Sequence, residues 1–111
     1  MPPSEKPIKL LKKARFIDFE TEDGIFGFRY ARMKFYRWET HGKGVGSNAI
    51  HFFFDSGTAS IVGHGLRALI PKIREEKLAA VRLGSDGPLV ITYVSVIPEK
   101  DQRKHEAVNR G

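Results

Sequence analysis

A mainly-β fold, with five strands rolled into a small barrel and one short helix between the third and fourth, is the architecture this 111-residue chain predicts. Three observations lead there. Segments of aromatic and β-branched residues alternate with polar ones along most of the chain. Turn residues separate them: Thr21-Glu22-Asp23-Gly24, three glycines between Glu39 and Asn48, Ser56-Gly57 and Gly84-Ser85-Asp86-Gly87. Finally, a helical period is seen only after Gly63.

The elements follow in order. Residues 1–13 form a polar, proline-containing lead-in with a basic amphipathic run, IKLLKK. ARFIDFE alternates rings and aliphatics with charge and is the first strand. IFGFRYARMKFYRW, Ile25 to Trp38, is a second long strand or a strand pair. ETHGKGVGSN is too glycine-rich for regular structure and forms a hairpin tip or loop. AIHFFFD is the third strand, with TASIV extending it or adding a short one. Leu66, Leu69, Ile70 and Ile73 then fall at i, i+3, i+4 and i+7, one apolar helical stripe. Pro71 lacks an N–H and crowds the preceding turn, so the helix is short or kinked. KLAAVRL and PLVITYVSVI are the last two strands. Residues 14–98 thus make one domain, and the polar residues 99–111 make a tail.

Composition narrows the function. The chain has no cysteine, which excludes disulfides and thiolate metal sites. No apolar run reaches the roughly 18 residues of a membrane span, and no stretch suits a signal peptide, so a cytoplasmic protein with no membrane partner is expected. Nineteen Lys+Arg against thirteen Asp+Glu give a net charge of +6, unevenly spread. Residues 1–15 carry five bases and one acid, 16–28 four acids and no base, and 29–43 five bases and one acid. A surplus of this sign fits a polyanion partner.

Order and motifs then point the same way. Three strands, a helix and two strands is the sequence of the oligonucleotide/oligosaccharide-binding barrel. The chain resembles, in part, the cold-shock domains of that class. That family carries a G-[FY]-G-F segment on its second strand, and here Phe26-Gly27-Phe28 follows the turn Glu22-Asp23-Gly24, with Ile25 inserted after the glycine. His51-Phe52-Phe53-Phe54-Asp55-Ser56 stands where its third strand has V-F-[VF]-H-x-S, with Phe54 in place of the family's histidine. Asp86-Gly87-Pro88 leads into a valine-rich last strand. The family's W-F pair would fall on Asp18-Phe19, and the connection from Arg29 to Asn48 is longer than usual for the family.

The resemblance implies single-stranded RNA or DNA binding without catalysis, cofactor or metal. Bases would stack on Phe26, Phe28, Tyr30, Phe52 and Phe54. If alternation runs unbroken, Arg32, Lys34 and Trp38 share the face of Phe26, Phe28 and Tyr30, and Lys43 extends the site through the loop. The bland alternative is that these rings fill the core. A protein-interaction or structural module, with a homodimer through the 30–38 strand, is the other functional expectation.

Other motifs carry less. Gly42-Lys43-Gly44-Val45-Gly46-Ser47 lacks the order of a phosphate-cradling loop. The histidines at 41, 51, 64 and 105 have no i, i+4 pair for zinc. His51 with Asp55 and Ser56 suggests a turn more than a nucleophilic group, and Glu20, Glu22 and Asp23 suggest a solvated turn.

Overall fold

The computed structural model describes residues 6–40 and 46–99. Among them the chain forms nine strands. These are β1 (Ile8–Leu10), β2 (Phe16–Thr21), β3 (Gly24–Arg29), β4 (Met33–Thr40), β5 (Ser47–Phe54), β6 (Gly57–His64), β7 (Leu78–Val81), β8 (Gly84–Asp86) and β9 (Leu89–Pro98). One short α-helix, α1 (Ile70–Arg74), lies between β6 and β7. The strands form two sheets, ordered β1-β7-β2-β3 and β4-β5-β6-β9-β8. All pairings are antiparallel except β2 with β7. The fold is therefore mainly β with a short helix in its expected interval, but the sheets are not hydrogen-bonded into one closed barrel.

Several expected strands divide. The long segment from Ile25 to Trp38 breaks at a 3-10 turn, Tyr30–Arg32, so its two halves enter different sheets. AIHFFFD and TASIV become two eight-residue strands, β5 and β6, joined at Asp55-Ser56. The lead-in supplies β1, whose Ile8 and Lys9 pair with Val81 and Ala80 of β7. Of the expected tail only Glu99 is among the described residues.

The core lies between the inner faces of the sheets. Phe19 of β2 meets Phe28 of β3, Phe52 and Phe54 edge-on, at ring distances of 6.0, 5.0 and 6.2 Å. Phe28 and Phe54 stack at 4.3 Å across the interface. Fully burying such a side chain is worth about 1.5–3 kcal/mol. Leu66, Leu69 and Ile73 close one end, as the apolar stripe requires. The residues before Ile70 take the tighter 3-10 form, and Pro71 occupies the first turn of α1, where its missing N–H leaves no bond unmade. Asn48, a buried polar residue, ties this segment down. Its Oδ1 accepts the Leu66 N–H at 3.1 Å, while its Nδ2 donates to the Gly46 carbonyl at 2.9 Å.

β6 and β9 can approach at a register shift only because residue 63 has no side chain. A Cβ on Gly63 would sit 1.8 Å from the Val90 carbonyl oxygen. The obstacle is backbone and cannot swing aside. Gly63→Ala is therefore expected to lower the unfolding free energy by about 3 kcal/mol, read as a reduced urea midpoint. An unchanged midpoint would mean that the β6–β9 register is looser than described.

Candidate nucleic-acid interface

Alternation in β5 sends Ile50, Phe52 and Phe54 into the core and leaves His51 and Phe53 half-buried on the outer face. In β4, a register shift between Met33 and Phe35 resets the phase. Phe35 and Arg37 then face outward beside Phe53 and His51, their register partners. Phe35 and Phe53 stack at 4.3 Å with 18° between planes, and Phe35 remains 54% exposed. The row continues through Thr58 to Ile97 of β9. The next row, Arg37, His51, Ser60 and Ser95, is polar. Arg37 Nε lies 2.9 Å from Glu39, whose Oε1 is 3.4 Å from His51 Nε2, and His51 Nδ1 is 2.7 Å from the Ser60 hydroxyl. A stacked ring pair with a guanidinium and an imidazole in the next row therefore lies on the open face of an antiparallel sheet.

The other side of β4 is also aromatic and basic. Tyr36 and Trp38 pack against the core but stay half-buried. Arg74 Nε donates to the Tyr36 hydroxyl at 2.9 Å, and the Arg67 guanidinium lies 5.7 Å from the Trp38 ring centre. The indole N–H of Trp38 is buried without a hydrogen-bond partner among the described residues.

The expected stacking rings are placed otherwise. Phe28, Tyr30, Phe52 and Phe54 are all buried, and Phe26 is half-buried against them, so the expectation that this set faces solvent is corrected. The alternation was sound and its sense inverted. Phe26 and Phe28 turn inward because large rings have more to gain from burial than their strand neighbours Ile25, Gly27 and Arg29. On the outer face a Cβ at Gly27 would lie 2.8 Å from the Asp18 carboxylate, a side-chain end that can swing aside. Arg29 sits over the exposed Phe16 ring, 5.4 Å from its centre.

Of the expected cations, Arg32 is exposed and reaches Asp55 at 3.5 Å. Lys34 is exposed and has no ion-pair partner among the described residues. Lys43 lies outside the described residues. Phe35, Arg37, His51 and Phe53 were missed as a group; the signal for two of them is that burying Ile50, Phe52 and Phe54, the more apolar face of β5, turns His51 and Phe53 outward.

Among the described residues no helix is long and apolar enough to cross a membrane, and no three His, Asp or Glu side chains gather as metal ligands. No protein-family model, curated protein or solved structure matches the chain.

Tyr30, expected in the interface, instead anchors the turn between β3 and β4 to β7 of the first sheet. Its hydroxyl donates to the Leu78 carbonyl at 2.5 Å. Burial drives its phenol far above the ordinary tyrosine range, the charge of Glu76 adds to the rise, and the bond to Leu78 opposes it. Because the folded value is the raised one, the contribution is complete below the unfolded phenol value of about 10 and is lost as pH climbs above it. Tyr30→Phe should flatten that alkaline loss of stability. At neutral pH it should cost about 1–2 kcal/mol, because the buried Leu78 carbonyl loses its partner. Chemical denaturation between neutral pH and pH values above the phenol range checks both.

Proposed function

We propose that the protein binds single-stranded RNA or DNA on the outer face of the β4-β5-β6-β9 sheet, without catalysis. The observation that carries this is the Phe35–Phe53 stack, half open to solvent, with Arg37 and His51 in the adjoining row. A base laid on Phe35 would continue an existing stack, a contact worth about 1–3 kcal/mol that every base can make. Arg32, Lys34 and Arg37, all exposed, lie along one short segment where phosphates could follow. The Arg32–Asp55 and Arg37–Glu39 pairs involve solvent-accessible groups, so a phosphate could displace either carboxylate at little cost. The +6 charge supplies long-range attraction.

In this reading the protein is an opened relative of the oligonucleotide-binding barrels. It shares with the cold-shock domains the use of rings on an antiparallel sheet, although the rings differ from those the motif comparison selects. The rival, a homodimer through the 30–38 strand, draws on the edge position of β4 in its sheet. Lys34, Arg37 and a register shift on that strand are features that discourage self-pairing, which favours the nucleic-acid reading.

Because Trp38 lies on the other side of β4, the proposal is tested by fluorescence anisotropy of an end-labelled short oligonucleotide titrated with the protein at two salt concentrations. Affinity should fall steeply with salt, and Lys34→Ala should reduce the slope of log K against log salt by about 0.7. Phe35→Ala should weaken binding by about tenfold or more with little change in stability. Absence of binding at low salt, or full affinity in Phe35→Ala, would rule this interface out. A concentration-dependent dimer that persists at high salt would support the rival.

A further inference from the structure

The second sheet ends in an unequal pair. β9 has ten residues and pairs with β6 from Val90 to Pro98, whereas β8 covers its other side only from Leu89 to Ile91. From Thr92 onward, the backbone N–H and C=O groups pointing away from β6 have no backbone partner among the described residues. A groove of about 600 Å³ runs along this open edge. Thr92–Val96 form one wall, Glu20–Asp23 the other, and Arg82 and Leu83 close the end. Five consecutive β9 residues line it, as expected when a strand presents its edge and not one face.

Two features define what fits there. The first is that β9 from Tyr93 to Val96 carries none of the usual edge-blocking devices, with β2 and its turn forming the facing wall. β4, the edge strand at the far side of the same sheet, carries Lys34, Arg37 and Glu39 and a register shift, the usual devices that keep an edge from pairing with another chain. β9 reads LVITYVSVIP, with no charge along its length and Tyr93 and Ile97 half exposed. The second is charge. Glu20 is neutralised by Arg82, which lies 2.7 Å away and also donates to the Lys6 carbonyl. Glu22 and Asp23 are exposed and have no ion-pair partner among the described residues. The groove is thus acidic on a protein that is basic overall.

We infer that this groove receives an extended, cationic peptide segment of a partner protein, added as a strand to the open edge of β9. Main-chain hydrogen bonds to Thr92–Val96 would supply affinity, and Lys or Arg side chains facing Glu22 and Asp23 would select the occupant. Alternate apolar side chains of the segment would lie against Leu83 and Tyr93, both more than half exposed. A second copy of β9 fits less well, because it would bring its own Glu22 and Asp23 toward the same groove. The groove shares Ser95 with the outer-face row of Arg37 and His51 but not the Phe35–Phe53 stack, and the inference does not rest on nucleic-acid binding.

The probe is a synthetic capped peptide of alternating arginine and valine, with a glutamate–valine peptide as control, titrated into the isotopically labelled full chain and followed by amide NMR. The expected result is saturable shifts centred on Thr92–Val96 with the arginine peptide and none with the glutamate one. The double variant E22K/D23K should weaken the arginine peptide by about tenfold or more, and the near-isosteric E22Q/D23N should do so more mildly while keeping the turn. No binding, shifts confined to other residues, equal binding of the glutamate peptide or undiminished affinity in both variants would each overturn the assignment. So would displacement of the peptide from these amides by an oligonucleotide, or concentration-dependent dimerisation through them without peptide.

Discussion

Phe19 holds the two sheets together. Its ring lies within contact range of Phe28 from its own sheet and of Phe52 and Phe54 from the other. Aromatic side chains bury about 150–250 Å² each, so this cluster carries much of the apolar area joining the sheets. It also dictates orientation elsewhere. Because side chains alternate along a strand, placing Phe28 inward obliges Ile25, Gly27 and Arg29 to face out, and placing Phe52 and Phe54 inward obliges His51 and Phe53 to face out. The candidate binding face is thus a consequence of the core.

β4 shows how one local break doubles the use of a short sequence. The turn at Tyr30–Arg32 moves the chain from one sheet to the other, with the Tyr30 N–H held by the Arg15 carbonyl and the Arg32 carbonyl accepting the Asp55 N–H. The register shift that follows puts Phe35 and Arg37 on the open face while Tyr36 and Trp38 rest against the core beneath Arg74 and Arg67. Without that shift, Met33 packed inward would have turned Phe35 and Arg37 inward as well and left no exposed stack beside Phe53.

The helix was legible because its evidence is local: Leu66, Leu69 and Ile73 mark a stripe that is buried, and Pro71 limits the length of regular helix. Most strand positions were legible for the same reason. The sense of burial was not, since a period of two fixes which residues share a face but not which face meets the core. Phe26, Phe28, Phe52 and Phe54 satisfied a motif argument for exposure, and only their packing on Phe19, remote in sequence from the last two, decides otherwise. β1 was missed because three residues, Ile-Lys-Leu, are too few to show a period. The split into two sheets depends on long-range pairings such as β2 with β7, which local sequence cannot indicate.

The charge blocks gain a physical meaning from this topology. The acidic block, residues 16–28, folds as the β2–β3 hairpin, and the basic block that follows begins at Arg29 and runs into β4. Since the chain changes sheets between Arg29 and Met33, neighbouring blocks of opposite sign are carried onto different sheets and do not simply pair along a single hairpin. Glu22 and Asp23 are left at a hairpin tip lining the groove along β9, while Arg32, Lys34 and Arg37 lie exposed along the segment that carries Phe35. Fields of opposite sign on separate surfaces attract different partners, and at physiological salt the screening length of about 8 Å limits how far one cancels the other. A net charge of +6 therefore understates the surface: the basic face can attract a polyanion while the acidic groove remains available to a cation.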